Sequence, residues 1–276
     1  MGRDQLPTPL FLEAFDASGE KRLWLARLFY GALFGRRWRP ALLGFAYVKL
    51  VDNAIDRDHD AGRAKAFLDR QRALLSRCYS GEPPAADLPA PDRFGAAFFA
   101  WDRRGGAPLR RPIEEVFDTF EVDLARRHRT ISSDELERLV LVAGAAVLSY
   151  LAWFVSPSLV LPRPLLERGS RAYIYADHVI DLEEDLRFGL CNVPLEEARA
   201  LAIDPWSLAQ VSQRWLQTRV PVVEGFFDDA LAEVRRLPGP RIRILTRLYL
   251  SRKRRELDRF LAKRRDAPAH SASGSA

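Results

Sequence analysis

Cysteine is scarce in this 276-residue chain. Cys78 and Cys191 are the only two. They stand far apart and fall into no metal-ligand spacing, which excludes a disulfide-stapled scaffold and a cysteine-rich metal site. A reduced compartment fits, with one disulfide left open. Neither thiol has a neighbour suggesting nucleophilic catalysis, and no glycine-rich dinucleotide loop is present. Strand-like alternation between hairpin turns is missing throughout, so a β architecture is not expected. Met1 to Pro7 holds two charges and no apolar run, and Leu6 stands where myristoylation wants Ser or Thr; neither a secretory signal nor a myristoyl anchor is expected. No repeat recurs at a fixed period.

Lysine is also rare. The basic residues are overwhelmingly arginine, with lysine only at 21, 49, 65, 253 and 263, and the net charge is +6. Arg252, Lys253, Arg254, Arg255, Arg259, Lys263, Arg264 and Arg265 crowd the last helical stretch. They read as a solvated helix face or as attraction to an acidic membrane surface. No nucleic-acid reading module accompanies them, so no nucleic-acid partner is expected.

What the chain has is helical periodicity and enough length for a deep core. The pattern predicts helices near 19–34, 37–56, 61–79, 91–102, 111–127, 133–155, 163–188, 204–235 and 239–264. Breakers separate them at Gly81 to Pro91, at Gly105-Gly106 with Pro108, and at Pro238-Gly239-Pro240. The economical organisation is an N-terminal extension over 1–18, one all-α domain over 19–265, and a small polar disordered tail over 266–276. From Leu139 to Pro162 there is no charged residue, which calls for a membrane check. Pro157 should end that helix, and a helix apolar on all sides suits the centre of a large bundle; a buried core helix is expected.

Two acidic patches carry the chemistry. Asp52 and Asp56 stand one helical turn apart, so both carboxylates leave one face. Like charges at that spacing repel, and a bound cation reverses the penalty. Asp58 and Asp60 fall in the following turn. In the second patch Asp177, Asp181 and Asp185 recur at i, i+4 and i+8, with Tyr173, Ile174 and Tyr175 suggesting a largely buried helix. Carboxylates in such a place need protons, bases or metals. Magnesium takes hard oxygen ligands, often one or two carboxylates together with substrate phosphate and water. Two acidic helices facing one cavity would hold Mg2+ against a diphosphate. His178 is rotated off the acidic stripe and reads as packed or solvent-facing.

These residues resemble the squalene/phytoene synthase family, within the all-α isoprenoid synthases. Asp52 and Asp56 match its first Asp-x-x-x-Asp motif. Asp181, Glu184, Asp185, Gly189 and Pro194 reproduce the order of its second, and Arg187 matches a frequent basic position. Asp177 stands where the family usually has asparagine. Asp123-Leu124, His128-Arg129-Thr130, Glu135-Leu136 and Val142-Ala143-Gly144 follow the family's run into its central helix, and Leu237-Pro238 and Tyr249 are similar near the end. The likeness covers roughly residues 20–255. There are departures. Leu23-Trp24-Leu25-Ala26 lacks the family's serines, and Lys49 replaces an arginine, losing its bidentate fork. Phe45 and Arg138 replace tyrosines, and Ile174 and Ile180 replace a glutamine and an arginine.

The resemblance implies a helical bundle around a central cavity. It implies Mg2+ on Asp52, Asp56, Asp177, Asp181 and Asp185, with Asp52, Asp56, Asp181 and Asp185 as the catalytic set. Lys49, Arg187, Asp177, Tyr249 and Phe45 would contact the substrate, farnesyl or geranylgeranyl diphosphate. Phe29, Tyr30, Phe45, Phe120, Tyr150, Trp153 and Phe154 would wall a cavity or pack the core. The activity implied is head-to-head condensation of two prenyl diphosphates. The alternatives are a one-substrate terpene cyclase, since the serines and tyrosines are lost, and a non-catalytic membrane-associated accessory protein. NADPH, used by reducing members, has no compact motif to read, and nothing here indicates it. The expected location is cytoplasmic, with peripheral contact at the inner membrane face, and the oligomeric state stays open.

Overall fold

A computed structural model describes residues 13–14, 31–56, 58, 60–85 and 87–266. Most of the helix expected over 19–34 lies outside them, as do Leu23 to Ala26, Phe29, Tyr30, most of the 1–18 extension and the tail over 267–276. Among the described residues the chain is helical, and its only β feature is an isolated bridge between Ile131 and Pro194. We number the helices α1 Trp38–Asp56, α2 Ala61–Ser80, α3 Ala90–Arg104, α4 Arg110–Ala125, α5 Ser133–Val155, α6 Arg163–Ile180, α7 Leu182–Arg187, α8 Leu195–Ala200, α9 Leu216–Val234 and α10 Pro240–Asp266.

Local chemistry sets the ends of these helices. Asp60 caps α2, its side chain accepting from the backbone N–H groups of Gly62 and Arg63. Gly81, at φ +91°, closes the same helix in the left-handed region that a residue without Cβ adopts most easily. Ser132 and Glu135 have the spacing of a capping box at the start of α5, and the Glu135 N–H donates to Ser132 Oγ at 3.2 Å. Three short elements depart from the predicted pattern. Asp181 interrupts the helix expected over 163–188. Leu195–Ala200 forms an unexpected helix, and the stretch expected over 204–235 begins as a short turn at Leu208–Gln210 and a π-helical segment at Val211–Trp215.

The chain divides into two compact units, one of residues 1–127 and 145–161, the other of 128–144 and 162–276. In the first, α1, α2, α3 and α4 pack around Tyr47, Phe94, Phe98, Phe99 and Phe117, all fully buried. A Cβ at Gly44 of α1 would collide with the Tyr150 hydroxyl and the Phe98 ring, so glycine permits this close packing. A buried polar chain crosses the core: Tyr47 donates to Gln71 at 2.9 Å, and Gln71 donates to Asp92 at 2.7 Å. The second unit packs α6 against α9 and α10. Tyr175 there donates to Glu137 at 2.7 Å, beneath the Arg219 guanidinium at 3.8 Å from its ring.

Helix α5 has the predicted bounds and supplies residues to both units. It is long and apolar enough to cross a membrane, and 39% of its most apolar window is buried. Leu136, Val140, Ala146, Ala152 and Phe154 face the interior, while much of the remainder is half-buried. Full burial therefore does not account for all of its apolar character.

Candidate functional site

The first acidic patch follows from the register of α1. Its inward residues, among them Leu43, Ala46, Tyr47, Val51 and Ile55, fill the core. Phe45, Lys49, Asp52 and Asp56 fall at i, i+4, i+7 and i+11 and share another face. Phe45 is 44% exposed, unusual for a large aromatic on a helix otherwise packed. Lys49 Nζ lies 2.6 Å from Asp52 Oδ2. Burial, then the Asp52 and Asp123 carboxylates, push the Asp56 carboxyl up to about 8; Lys49 and Arg127 only partly oppose them.

Asp123, at the end of α4, is thus a third carboxylate of this neighbourhood. Burial raises its pKa, against the pull of Arg126. Arg126 is fully buried, and its Nε donates to Asp123 Oδ1 at 2.7 Å. Arg127 donates to the backbone carbonyls of Ile55 and Asp58, each at 2.6 Å, and so clamps the end of α1. In the sequence Asp123 figured only as part of the family-like run, and Arg127 not at all. The available signal was the position of Asp123, Arg126 and Arg127 immediately before His128-Arg129-Thr130.

The second patch differs in build. Asp177 lies on α6, Asp181 is the residue between α6 and α7, and Asp185 lies on α7. The expected single helix is therefore corrected to two. Asp181 has φ −93° and ψ 6°, flatter than helical, yet its N–H still donates to the Asp177 carbonyl and the Asp185 N–H to the Asp181 carbonyl, both at 2.8 Å. The i, i+4, i+8 spacing thus passes through a local break rather than a reversal.

The three carboxylates are unequal. Asp177 is ion-paired to Lys253 of α10, whose ammonium also lies 2.9 Å from Glu256 and 4.8 Å from the Tyr173 ring centre. Burial alone would lower the Lys253 pKa, but Asp177, Tyr173 and Glu256 together raise it well above normal. Asp185 accepts from Asn192 Nδ2 at 2.7 Å. Asp181 is exposed. Arg187 is exposed and pairs with Glu183 at 3.1 Å. Tyr249 stacks on Tyr173 with ring centres 4.3 Å apart, and burial followed by Asp177 pushes the Tyr173 hydroxyl up to about 12. Gly189, at φ +78°, lets the chain turn against the His128 imidazole, where any Cβ would collide. In the sequence Lys253 is one member of a basic run. The signal that could have singled it out is rarity, since two of the five lysines, Lys49 and Lys253, pair with patch aspartates.

The aromatic candidates divide. Phe154 is fully buried beside Phe34, Trp101, Tyr150 and Trp153, and Phe120 packs on Phe117; these are core. The Tyr150 hydroxyl donates to the Ala41 carbonyl at 2.8 Å.

Among the described residues no group of three or more His, Cys, Asp or Glu side chains gathers closely enough to cage a metal ion. The pairs still suit magnesium's preference for one or two carboxylates when phosphate and water complete its shell. Asp52 and Asp56 offer hard oxygens in a half-buried place where their mutual repulsion already favours a cation. Asp181 and Asp185 offer a second pair. Asp177 fits less well, its charge being met by Lys253.

The fold defines a class: it is the helical fold of the isoprenoid synthases. The chain is similar to the crystal structure of squalene synthase HpnC from Alicyclobacillus acidocaldarius, with TM-score 0.67 over 94% of this chain and 96% of that one, at 18% sequence identity. No protein-family model and no curated protein matches the chain.

Proposed function

We propose that this protein ionises an allylic prenyl diphosphate with magnesium, and that it joins two such molecules head to head in the manner of a squalene or phytoene synthase. The observation that carries the reading is the α1 face: an exposed Phe45, then Lys49, then Asp52 and Asp56, on a fold shared with a squalene synthase. Magnesium bound there would supply Lewis-acid withdrawal of electron density from the leaving pyrophosphate. Asp52 and Asp56 would hold it, and Asp181 with Asp185 would hold a further ion. Lys49 shifts its ammonium from Asp52 toward the diphosphate, and Arg187, paired with an exposed Glu183, neutralises the departing charge. Phe45 gives the cation an apolar, aromatic surface in place of water.

A one-substrate cyclisation is the second reading, favoured by one feature: the α1 face carries no hydroxyl, with Phe45 where the resembling family has tyrosine. Incubation with magnesium and labelled farnesyl or geranylgeranyl diphosphate, followed by mass analysis, distinguishes them. A product of doubled carbon number supports condensation, and one of unchanged carbon number supports cyclisation. Asp52→Ala and Asp181→Ala should each abolish pyrophosphate release. Full release by either variant would sink the two-patch mechanism.

A further inference from the structure

The basic C-terminal helix is not uniform once its partners are known. Arg252 pairs with Glu256, Lys253 with Asp177 and Glu256, and Arg254 with Asp228, while Arg264 donates to Ser212. Half of that run is thus engaged within its own unit, while Arg255, Arg259, Lys263 and Arg265 have no acidic partner among the described residues. Unneutralised charge also lies at the other end of the helix. Arg235, just past α9, and Arg243 and Arg247 of α10 are exposed and have no acidic partner among the described residues.

These three arginines line a groove of about 410 Å³ between α9 and α10, together with Leu231, Val234 and Ile244. No acidic residue lines it. Ile244 is 48% exposed, and Leu248, one turn further along the same face, is 37% exposed. The first turn of α10 carries no acid, so the positive end of the helix dipole adds to the guanidinium charge. Exposed aliphatic side chains among arginines, within two turns of one helix end, form the pattern of a surface that lies in a bilayer interface. The long arginine stems cover apolar surface while their heads reach phosphate.

We infer that the α9–α10 end is a docking surface for an anionic phospholipid bilayer, with Arg235, Arg243 and Arg247 on headgroup phosphates and Ile244 and Leu248 at the acyl boundary. Charge complementarity selects this occupant. The groove side chains are arginine and aliphatic only, so it offers no side-chain acceptor for a peptide's N–H groups, whereas a sheet of phosphates over hydrocarbon meets both kinds of residue. The inference rests on this surface alone and is independent of the prenyl diphosphate reading.

The test is flotation of the full chain with vesicles of phosphatidylcholine alone or with one-third phosphatidylglycerol, at low and at physiological salt. Binding to the anionic vesicles is expected, weakening with salt, with little binding to the neutral ones. Replacing all three arginines by glutamine should weaken it by roughly a hundredfold, at an unchanged melting temperature. Ile244→Asn with Leu248→Asn should weaken it even at low salt. Arg255→Gln with Arg259→Gln and Lys263→Gln should have a smaller effect than the groove triple. The inference is overturned if the parent ignores anionic vesicles or binds neutral ones equally. It is also overturned if the groove triple binds like the parent, or if the C-terminal triple costs more than the groove triple.

Discussion

Asp56 shows how a single carboxyl can report on the chemistry around it. An isolated aspartate titrates near 3.8, and this one is held up to about 8, first by burial and then by Asp52 and Asp123. The folded chain therefore binds that proton more tightly than the unfolded chain. The stability it contributes is fully present below about 3.8 and is lost as pH rises through about 8. Between those limits the slope can approach ~1.4 kcal/mol per pH unit. Metal-free protein should therefore melt at progressively lower temperature from about pH 5 to about pH 8. Asp56→Asn should flatten that profile and exceed the parent's stability at the alkaline end. Melting curves across the range check it, and a parallel fall in parent and variant would assign the effect elsewhere.

At the scale of elements, an ion pair and a ring stack both join α6 to α10. Lys253 is nearly buried, and its ammonium holds Asp177 while facing the Tyr173 ring, against which Tyr249 stacks. Removing one member of such a pair strands the other charge in a poor solvent. Lys253→Met should cost about 3 kcal/mol in denaturant unfolding. Asp177→Asn in the Lys253→Met background should recover much of that loss, because an amide carries no charge to strand. If the double variant is no better than Lys253→Met alone, Asp177 is not the group that Lys253 serves. The pair also bears on the metal site. With Asp177 met by an internal cation, the second patch resembles one in which a neutral asparagine takes that place, the residue the resembling family usually has.

Local chemistry made much of the whole molecule readable in advance. The all-α class followed from periodicity, and α5 ended just before Pro157, the residue expected to stop it. The break at Asp181 was not readable, since the intact i, i+4 spacing on either side is what a continuous helix also gives. Nor was the partner of Asp177, which comes from 76 residues away and is settled by packing rather than by local pattern. Asp123 was missed as a site member for a similar reason. Nothing near it in sequence is acidic at helical spacing toward Asp52, and only the fold sets the two in electrostatic reach. Within the basic C-terminal run, Arg252, Lys253 and Arg254 pair with acids of their own unit, and two of those partners, Asp177 and Asp228, lie too far away in sequence to be read from local pattern.

The proposed function makes a claim about the whole chain that needs no turnover to examine. A ligand that binds only the folded state stabilises it by mass action, by ~2.7 kcal/mol at a hundredfold excess over Kd. For a protein of this size that is a rise of several degrees in melting temperature. An unreactive thiodiphosphate analogue of farnesyl diphosphate should give that rise only with magnesium present, since the carboxylate pairs repel the diphosphate until a cation bridges them. Magnesium alone should give a smaller rise, greatest where Asp56 is ionised. Asp52→Asn combined with Asp56→Asn should remove the joint effect, because a neutral pair no longer recruits the cation. If the analogue stabilises the parent equally without magnesium, or stabilises the double variant as well as the parent, the diphosphate is bound by basic residues alone, and the aspartates of α1 have no part in holding it.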